Sequence, residues 1–182
     1  MAIRSAWEIA LERSESIVVD KDKLKKDEDI LKVRGILGRY LSDDEGLNIE
    51  KLNEFNKAIK DEAFLLVISQ NLTIPSEQVN ENRMAKIVEI AKVASEKEEF
   101  RAHVNNIIAF IKQYPNHKSH LIEQITAQFK TMIAEKSNTP NADINLDNNK
   151  EFQQILNTQL EKLSANYFKT LDESKKQLAA LL

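Results

Sequence analysis

The sequence predicts an all-α protein, a multi-helix bundle of about seven helices that ends in one long C-terminal helix. Three Gly and three Pro in 182 residues are too few for the many tight turns of a sheet-rich fold. No segment alternates apolar and polar residues with a period of two, whereas several segments repeat apolar residues at helical spacing. With 42% hydrophobic and 30% charged residues, the chain can bury a core and stay soluble.

Two helices are predicted before the first long turn. Helix one begins at Ser5, since Ser5 and Glu8 are spaced as a capping box in which each side chain satisfies a free backbone N–H. Trp7, the single tryptophan, is interpreted as the core anchor of this helix. Helix two runs from about Asp20 to Leu41 and buries an apolar face in its second half.

Gly35 and Gly38 lie inside helix two, where each costs up to about 1 kcal/mol relative to Ala. A Gly-x-x-Gly pair lets another backbone approach closely, so the pair predicts a tight helix crossing. A bend in helix two is the alternative.

The middle of the chain predicts three further helices. Helix three extends from Asn48 to Asn71. Pro75 disfavours helical conformation in the residue before it and suits the first turn of a helix, so it is predicted to open helix four. Ser95 and Glu98 form a second capping box, which predicts the start of helix five.

A break in the helical pattern is predicted at 114–116, where Tyr-Pro-Asn occurs. Helix six then covers about 117–136, and the polar loop 137–146 follows. This loop is the best candidate boundary. It divides a helical bundle core, 1–137, from a loop and long helix, 138–182, that packs on the core within a single domain.

The C-terminal helix is predicted to run from an Asp147 N-cap to Leu182, roughly 54 Å at about 1.5 Å per residue. Its apolar residues recur every eleven positions, which favours a straight helix over a left-handed zipper. They form two rows: Leu156, Tyr167 and Leu178, and Leu160, Leu171 and Leu182. Either the rest of the chain or another molecule must cover this stripe.

The far end of the C-terminal helix is the predicted interface, because intramolecular cover has to extend furthest to reach it. The predicted interface residues are Tyr167, Leu171, Leu178, Leu181 and Leu182. The polar face of this helix mixes acidic residues with lysines, which argues against a membrane-surface helix.

His117, His120 and Glu123 recur every three residues and would share one helix face. Two imidazoles and a carboxylate can ligate zinc or iron in principle, so they are the candidate metal ligands. A solvated surface role competes with this interpretation. His103 lies between apolar positions and is interpreted as a boundary residue.

Two other metal-site classes fail on sequence. No Glu precedes a His by three residues, which excludes the Glu-x-x-His di-iron pattern. The run 143–148 copies the first positions of a calcium loop but lacks its Gly and its final Glu.

The opening segment, Ser5-Ala6-Trp7-Glu8-Ile9-Ala10-Leu11-Glu12-Arg13, resembles the start of a group of small bacterial helical proteins of unknown function. The resemblance is confined to this short N-terminal segment. It implies a cytoplasmic helical protein and assigns no catalytic residue.

Composition narrows the function. A net charge of −3 argues against nucleic-acid binding, and the absence of cysteine excludes thiol catalysis and thiolate metal sites. We predict a cytoplasmic, non-enzymatic interaction or structural protein with no cofactor and no membrane contact. Its partner is another protein or a second copy, bound through the C-terminal helix. The alternatives are metal binding by the His117 group and small-ligand binding in an apolar pocket near Phe100, Phe110 or Phe129.

Overall fold

The computed structural model describes residues 21–42, 46–137, 146 and 148–182. Predicted helix one, with Ser5, Glu8 and Trp7, lies outside the described residues. So do most of the polar loop and of the calcium-like run, including Asp147.

The described residues form six α-helices and no strand, and a long C-terminal helix is among them, which confirms the all-α prediction. None of these helices is long and apolar enough to cross a bilayer. In chain order they are α1 (Lys21–Ser42), α2 (Ile49–Asn53), α3 (Lys57–Asn71), α4 (Glu81–Ala94), α5 (Glu98–Ser137) and α6 (Lys150–Leu181).

Asparagine is the N-cap of four helices. The side-chain oxygens of Asn48, Asn56, Asn80 and Asn149 each accept a hydrogen bond from the backbone N–H three residues later. An N-cap side chain satisfies one of the free N–H groups of the first turn, and its loss costs about 1 kcal/mol. These caps fix where α2, α3, α4 and α6 begin.

The caps correct two predicted boundaries in the middle of the chain. Predicted helix three is two helices, because Asn56 starts α3 after a short irregular segment at 54–56. Predicted helix four does not open at Pro75: residues 72–80 are irregular and α4 begins at Glu81. Tertiary burial of Leu72, which is fully buried, anchors this connection.

The N-caps of α5 and α6 also differ from the predictions. The Ser95 hydroxyl accepts from the backbone N–H of Lys97, so it does not pair with Glu98 as a capping box requires. Asn149 caps α6, and the helix begins two residues later than a cap at Asp147 would place it.

The predicted break at Pro115 is wrong, because α5 continues through this residue without interruption. Pro115 has no N–H to donate to the carbonyl four residues earlier, which costs about 3 kcal/mol in a helix interior. Packing on both sides of the proline offsets that cost. Ile111 and Tyr114 are buried before it, and Ile125 and Phe129 are buried after it.

Most of the buried apolar residues belong to one cluster, the main core. Helix α1 contributes its predicted face, including Val33 and Leu37, and packs on α3 and α4. The last main-core residue on α5 is Ile111, and the first buried one on α6 is Leu171. The main core therefore encloses only the N-terminal part of α5 and the C-terminal part of α6.

Helices α5 and α6 form an antiparallel pair. His103 contacts Ser174, His117 contacts Tyr167, and Phe129 contacts Phe152. At about 1.5 Å per residue the 40 residues of α5 reach about 60 Å. Both helices therefore extend past the main core.

The tight helix crossing predicted from Gly35 and Gly38 is absent from the described part of the chain. A Cβ atom at either position would meet no described atom within 4 Å. Gly35 borders a shallow surface groove that Arg39 and Phe55 also line.

We expect Gly35→Ala to stabilise the protein by up to about 1 kcal/mol, because alanine removes the helix-interior cost of glycine without a described clash. Urea unfolding monitored by circular dichroism measures the change. A loss of stability would instead show that another part of the molecule approaches α1 closely at Gly35.

Candidate functional site

The candidate site lies where α5 and α6 extend beyond the main core. We call residues 117–137 of α5 and 150–166 of α6 the distal hairpin. Ile125, Phe129 and Phe152 of the distal hairpin are buried in a separate hydrophobic cluster, together with Leu146 from the segment before α6. Phe129 and Phe152 are in ring contact, with centroids 5.3 Å apart. Two helices can bury only their facing sides, so apolar residues beside the contact stay accessible.

A groove of about 440 Å³ runs along one side of the distal hairpin. On α5 its residues recur at helical spacing between Leu121 and Met132, and on α6 they are Ile155 and Gln159. This length of α5 corresponds to about three helical turns. The hairpin groove is lined by Leu121, Gln124, Ile125, Gln128, Phe129, Met132, Ile155 and Gln159.

The hairpin groove has no charged residue in its lining, in a chain of which 30% is charged. Between 119 and 134 the only charged residues are Glu123 and Lys130, and between 152 and 160 there is none. Ile155 is 38% exposed in the groove. Depletion of charge around apolar side chains is typical of the centre of protein interfaces.

Aromatic and polar contacts between α5 and α6 connect the distal hairpin to the main core. Tyr167 stacks on Phe110 with ring centroids 4.5 Å apart, and its hydroxyl shares a 2.5 Å hydrogen bond with Nδ1 of His117. The hydroxyls of Tyr114 and Ser164 are 2.9 Å apart. These contacts fix how α5 and α6 leave the core, and thereby the shape of the groove.

Tyr167→Phe is expected to lower the free energy of unfolding by about 1 kcal/mol at neutral pH, because the hydrogen bond to His117 is lost. Burial, with a smaller contribution from Tyr114, raises the pKa of Tyr167. The folded state therefore favours the neutral phenol, which adds to the free energy of unfolding. This contribution is lost as the pH rises from the pKa of tyrosine in the unfolded chain, about 10, through the higher pKa of Tyr167 in the folded protein.

The stability difference between wild type and Tyr167→Phe should thus narrow above about pH 10, since phenylalanine cannot ionise. Unfolding free energies measured across the pH range test this. A difference that is constant with pH would contradict the burial of the phenol.

Most of the predicted interface residues at the far end of α6 are buried within the chain. Tyr167, Leu171 and Leu178 are at most 5% exposed, because helices of the same chain cover them. Leu181 and Leu182 are half-buried and pack against the main core, where the Lys97 ammonium donates to the Leu181 carbonyl oxygen. The stripe is mainly an internal contact surface.

The predicted metal ligands lie on one continuous helix but are not gathered into a site. Nδ1 of His117 is bonded to Tyr167, while His120 and Glu123 are exposed. Within the described ranges, no group of three His, Asp or Glu side chains could hold a metal ion.

His103 contributes a structural contact between the two long helices. Its Nε2 lies 2.8 Å from the Ser174 carbonyl oxygen, so this ring nitrogen donates. The half-buried ring agrees with the predicted boundary position.

A second cleft, of about 490 Å³, lies between α2, α3 and the end of α4. Lysines 57, 60 and 97 and two acidic residues surround it, and Leu182 of the same chain reaches into it. This cleft differs from the hairpin groove because charged residues surround it and Leu182 of the same chain partly fills it.

Comparison with known proteins places the chain in one family. Residues 47–180 match a family of unknown function, DUF6657. The chain belongs to this family. The matched region includes α2 to α5 and α6 up to Ala180, and thus the whole described hairpin groove, whereas α1 precedes it. No curated protein and no solved structure matches the chain.

Family membership agrees with the predicted relation to proteins of unknown function. The matching region differs from the opening segment 5–13 that suggested the resemblance. The bacterial origin of those relatives stays a prediction.

Proposed function

We propose that this member of the DUF6657 family is a non-enzymatic interaction protein that receives an apolar helix of a protein partner in the hairpin groove. The uncharged lining around the accessible Ile155 is the observation that supports this most directly. An amphipathic helix binds such a groove by placing apolar residues at i, i+3, i+4 and i+7 into it. Three turns of α5 offer contacts of that length.

The proposal moves the predicted interaction surface from the far end of α6 to its beginning. The reason is that Tyr167, Leu171 and Leu178 already contact the protein's own core. Ile155, Gln124 and Gln128 are instead exposed in the described part of the chain.

A small apolar ligand is the second candidate occupant. The volume of the groove falls within the range of about 300–1,000 Å³ common for ligand sites, and Phe129 lines it. The extent of the groove over three helical turns favours a helix over a compact molecule. Metal binding by His117, His120 and Glu123 stays a prediction without a supporting arrangement.

Photo-cross-linking in the cells that naturally make the protein tests the proposed function. Benzoylphenylalanine replaces Gln128 in the groove, or Gln177 as the matched control, since both glutamines are exposed. Gln177 lies at the far end of α6, where the sequence predicted the interface. We expect a discrete protein adduct from position 128 and none from position 177.

The adduct from position 128 should disappear when Ile155→Glu is added, because an unpaired carboxylate in an apolar interface is costly. The control is Ile49→Glu, since Ile49 is 49% exposed outside the groove. Absence of an adduct from position 128, or an adduct that survives Ile155→Glu, would overturn the proposed function.

A further inference from the structure

Three glutamines, Gln124, Gln128 and Gln159, lie among the apolar residues of the hairpin groove. A glutamine amide both donates and accepts hydrogen bonds, so it can pair with the same side chain of another molecule. A lysine or glutamate at the same place would repel its own copy. The polar part of this groove is therefore complementary to itself.

A two-fold symmetric interface uses the same patch on both subunits, which sets like residues near like. Self-complementary amides and an uncharged apolar surface meet that requirement without repulsion. We infer that the occupant of the hairpin groove is the hairpin groove of a second copy of this chain, an inference that rests on the proposed function above.

The geometry of the distal hairpin suits this pairing. Two antiparallel helices from each copy give four, the number that encloses a continuous bundle core. In this arrangement the α5 helices of the copies are antiparallel, so Leu121 of one copy lies near Met132 of the other. Gln124 and Gln128 lie between these residues, close to the two-fold axis. Ile155 becomes part of the bundle core.

Light scattering and sedimentation of the full chain test the inference. Wild type should be a dimer. Ile155→Glu should raise the dimer dissociation constant by at least about 100-fold, since symmetry places two carboxylates in one interface. Ile49→Glu should leave the dimer intact, and unchanged helicity of both variants shows that they fold.

A disulfide test uses the absence of cysteine from the chain. Gln128→Cys should form a covalent dimer rapidly under mild oxidation, because the two thiols lie near the axis. Gln177→Cys is the matched control and should stay largely monomeric. Equal cross-linking of the two variants would overturn the pairing of the grooves.

The outcomes separate this inference from the proposed function. If the wild type is monomeric and position 128 still gives an adduct with a protein of a different mass, only the inference that a second copy occupies the groove is overturned. A monomeric wild type without any adduct overturns both. A small ligand that co-purifies in the groove of a monomer also overturns the second copy.

Discussion

Leu178→Ala is expected to lower the free energy of unfolding by about 2–5 kcal/mol, the cost of emptying a fully buried leucine site. Leu178 is 0% exposed and belongs to the main core. Denaturant unfolding measures the loss. Leu31→Ala, at a leucine 61% exposed on α1, is the control and should change stability by less than about 0.5 kcal/mol.

The role of the far end of α6 depends on this result. If Leu178 belongs to the internal core, the loss of stability is independent of protein concentration. A small loss accompanied by dissociation into monomers would instead restore the interface that the sequence predicted there.

Phe152→Ala is expected to destabilise the distal hairpin by about 3–5 kcal/mol and to leave the main core folded. Phe152 is buried against Phe129 in a cluster separate from the main core. Hydrogen exchange should therefore accelerate in the distal hairpin, while α4 stays protected, as expected for local unfolding.

Phe168→Ala is the matched control, since Phe168 is on the same helix and 57% exposed. It should leave exchange in the hairpin unchanged. Equal acceleration in α4 and in the hairpin of Phe152→Ala would show that the chain unfolds as one unit, which would contradict two separate clusters.

Periodicity predicted the helices that pack by an amphipathic face. Helix α1 was predicted from Asp20 to Leu41 and runs from Lys21 to Ser42. The long C-terminal helix and its eleven-residue rows were also predicted, and the structure shows Tyr167, Leu171 and Leu178 as its buried face. A repeating apolar stripe determines both the helix and the face that it buries.

Local sequence signals for helix boundaries gave wrong predictions where tertiary contacts outweigh them. Pro115 predicts a break, but packing of α5 on both sides of it keeps the helix continuous. Asn56, Asn80 and Asn149 could have been found as N-caps, because asparagine is as good a cap as serine or aspartate.

The hairpin groove could not be predicted from the sequence, because it depends on how α5 and α6 pack against each other. Which parts of α5 and α6 leave the main core follows from their antiparallel register, and the predicted break at Pro115 hid this register. One local signal was available. The run from Phe152 to Leu160 has no charged residue and contains the exposed Ile155, which is typical of a covered surface.

Oxidation of Met132 tests occupancy of the groove most directly, because this half-buried side chain lines the groove and needs no substitution. Hydrogen peroxide converts accessible methionine to its sulfoxide, and Met84, which is buried in the main core, reports any unfolding. The rates in the protein's native cell extract are compared with those in purified protein diluted until light scattering gives the monomer mass. Met132 should be protected in the extract and react faster in the monomer, and Met84 should react slowly in both. Equal rates for Met132 in the two states would contradict a groove that is covered by a partner.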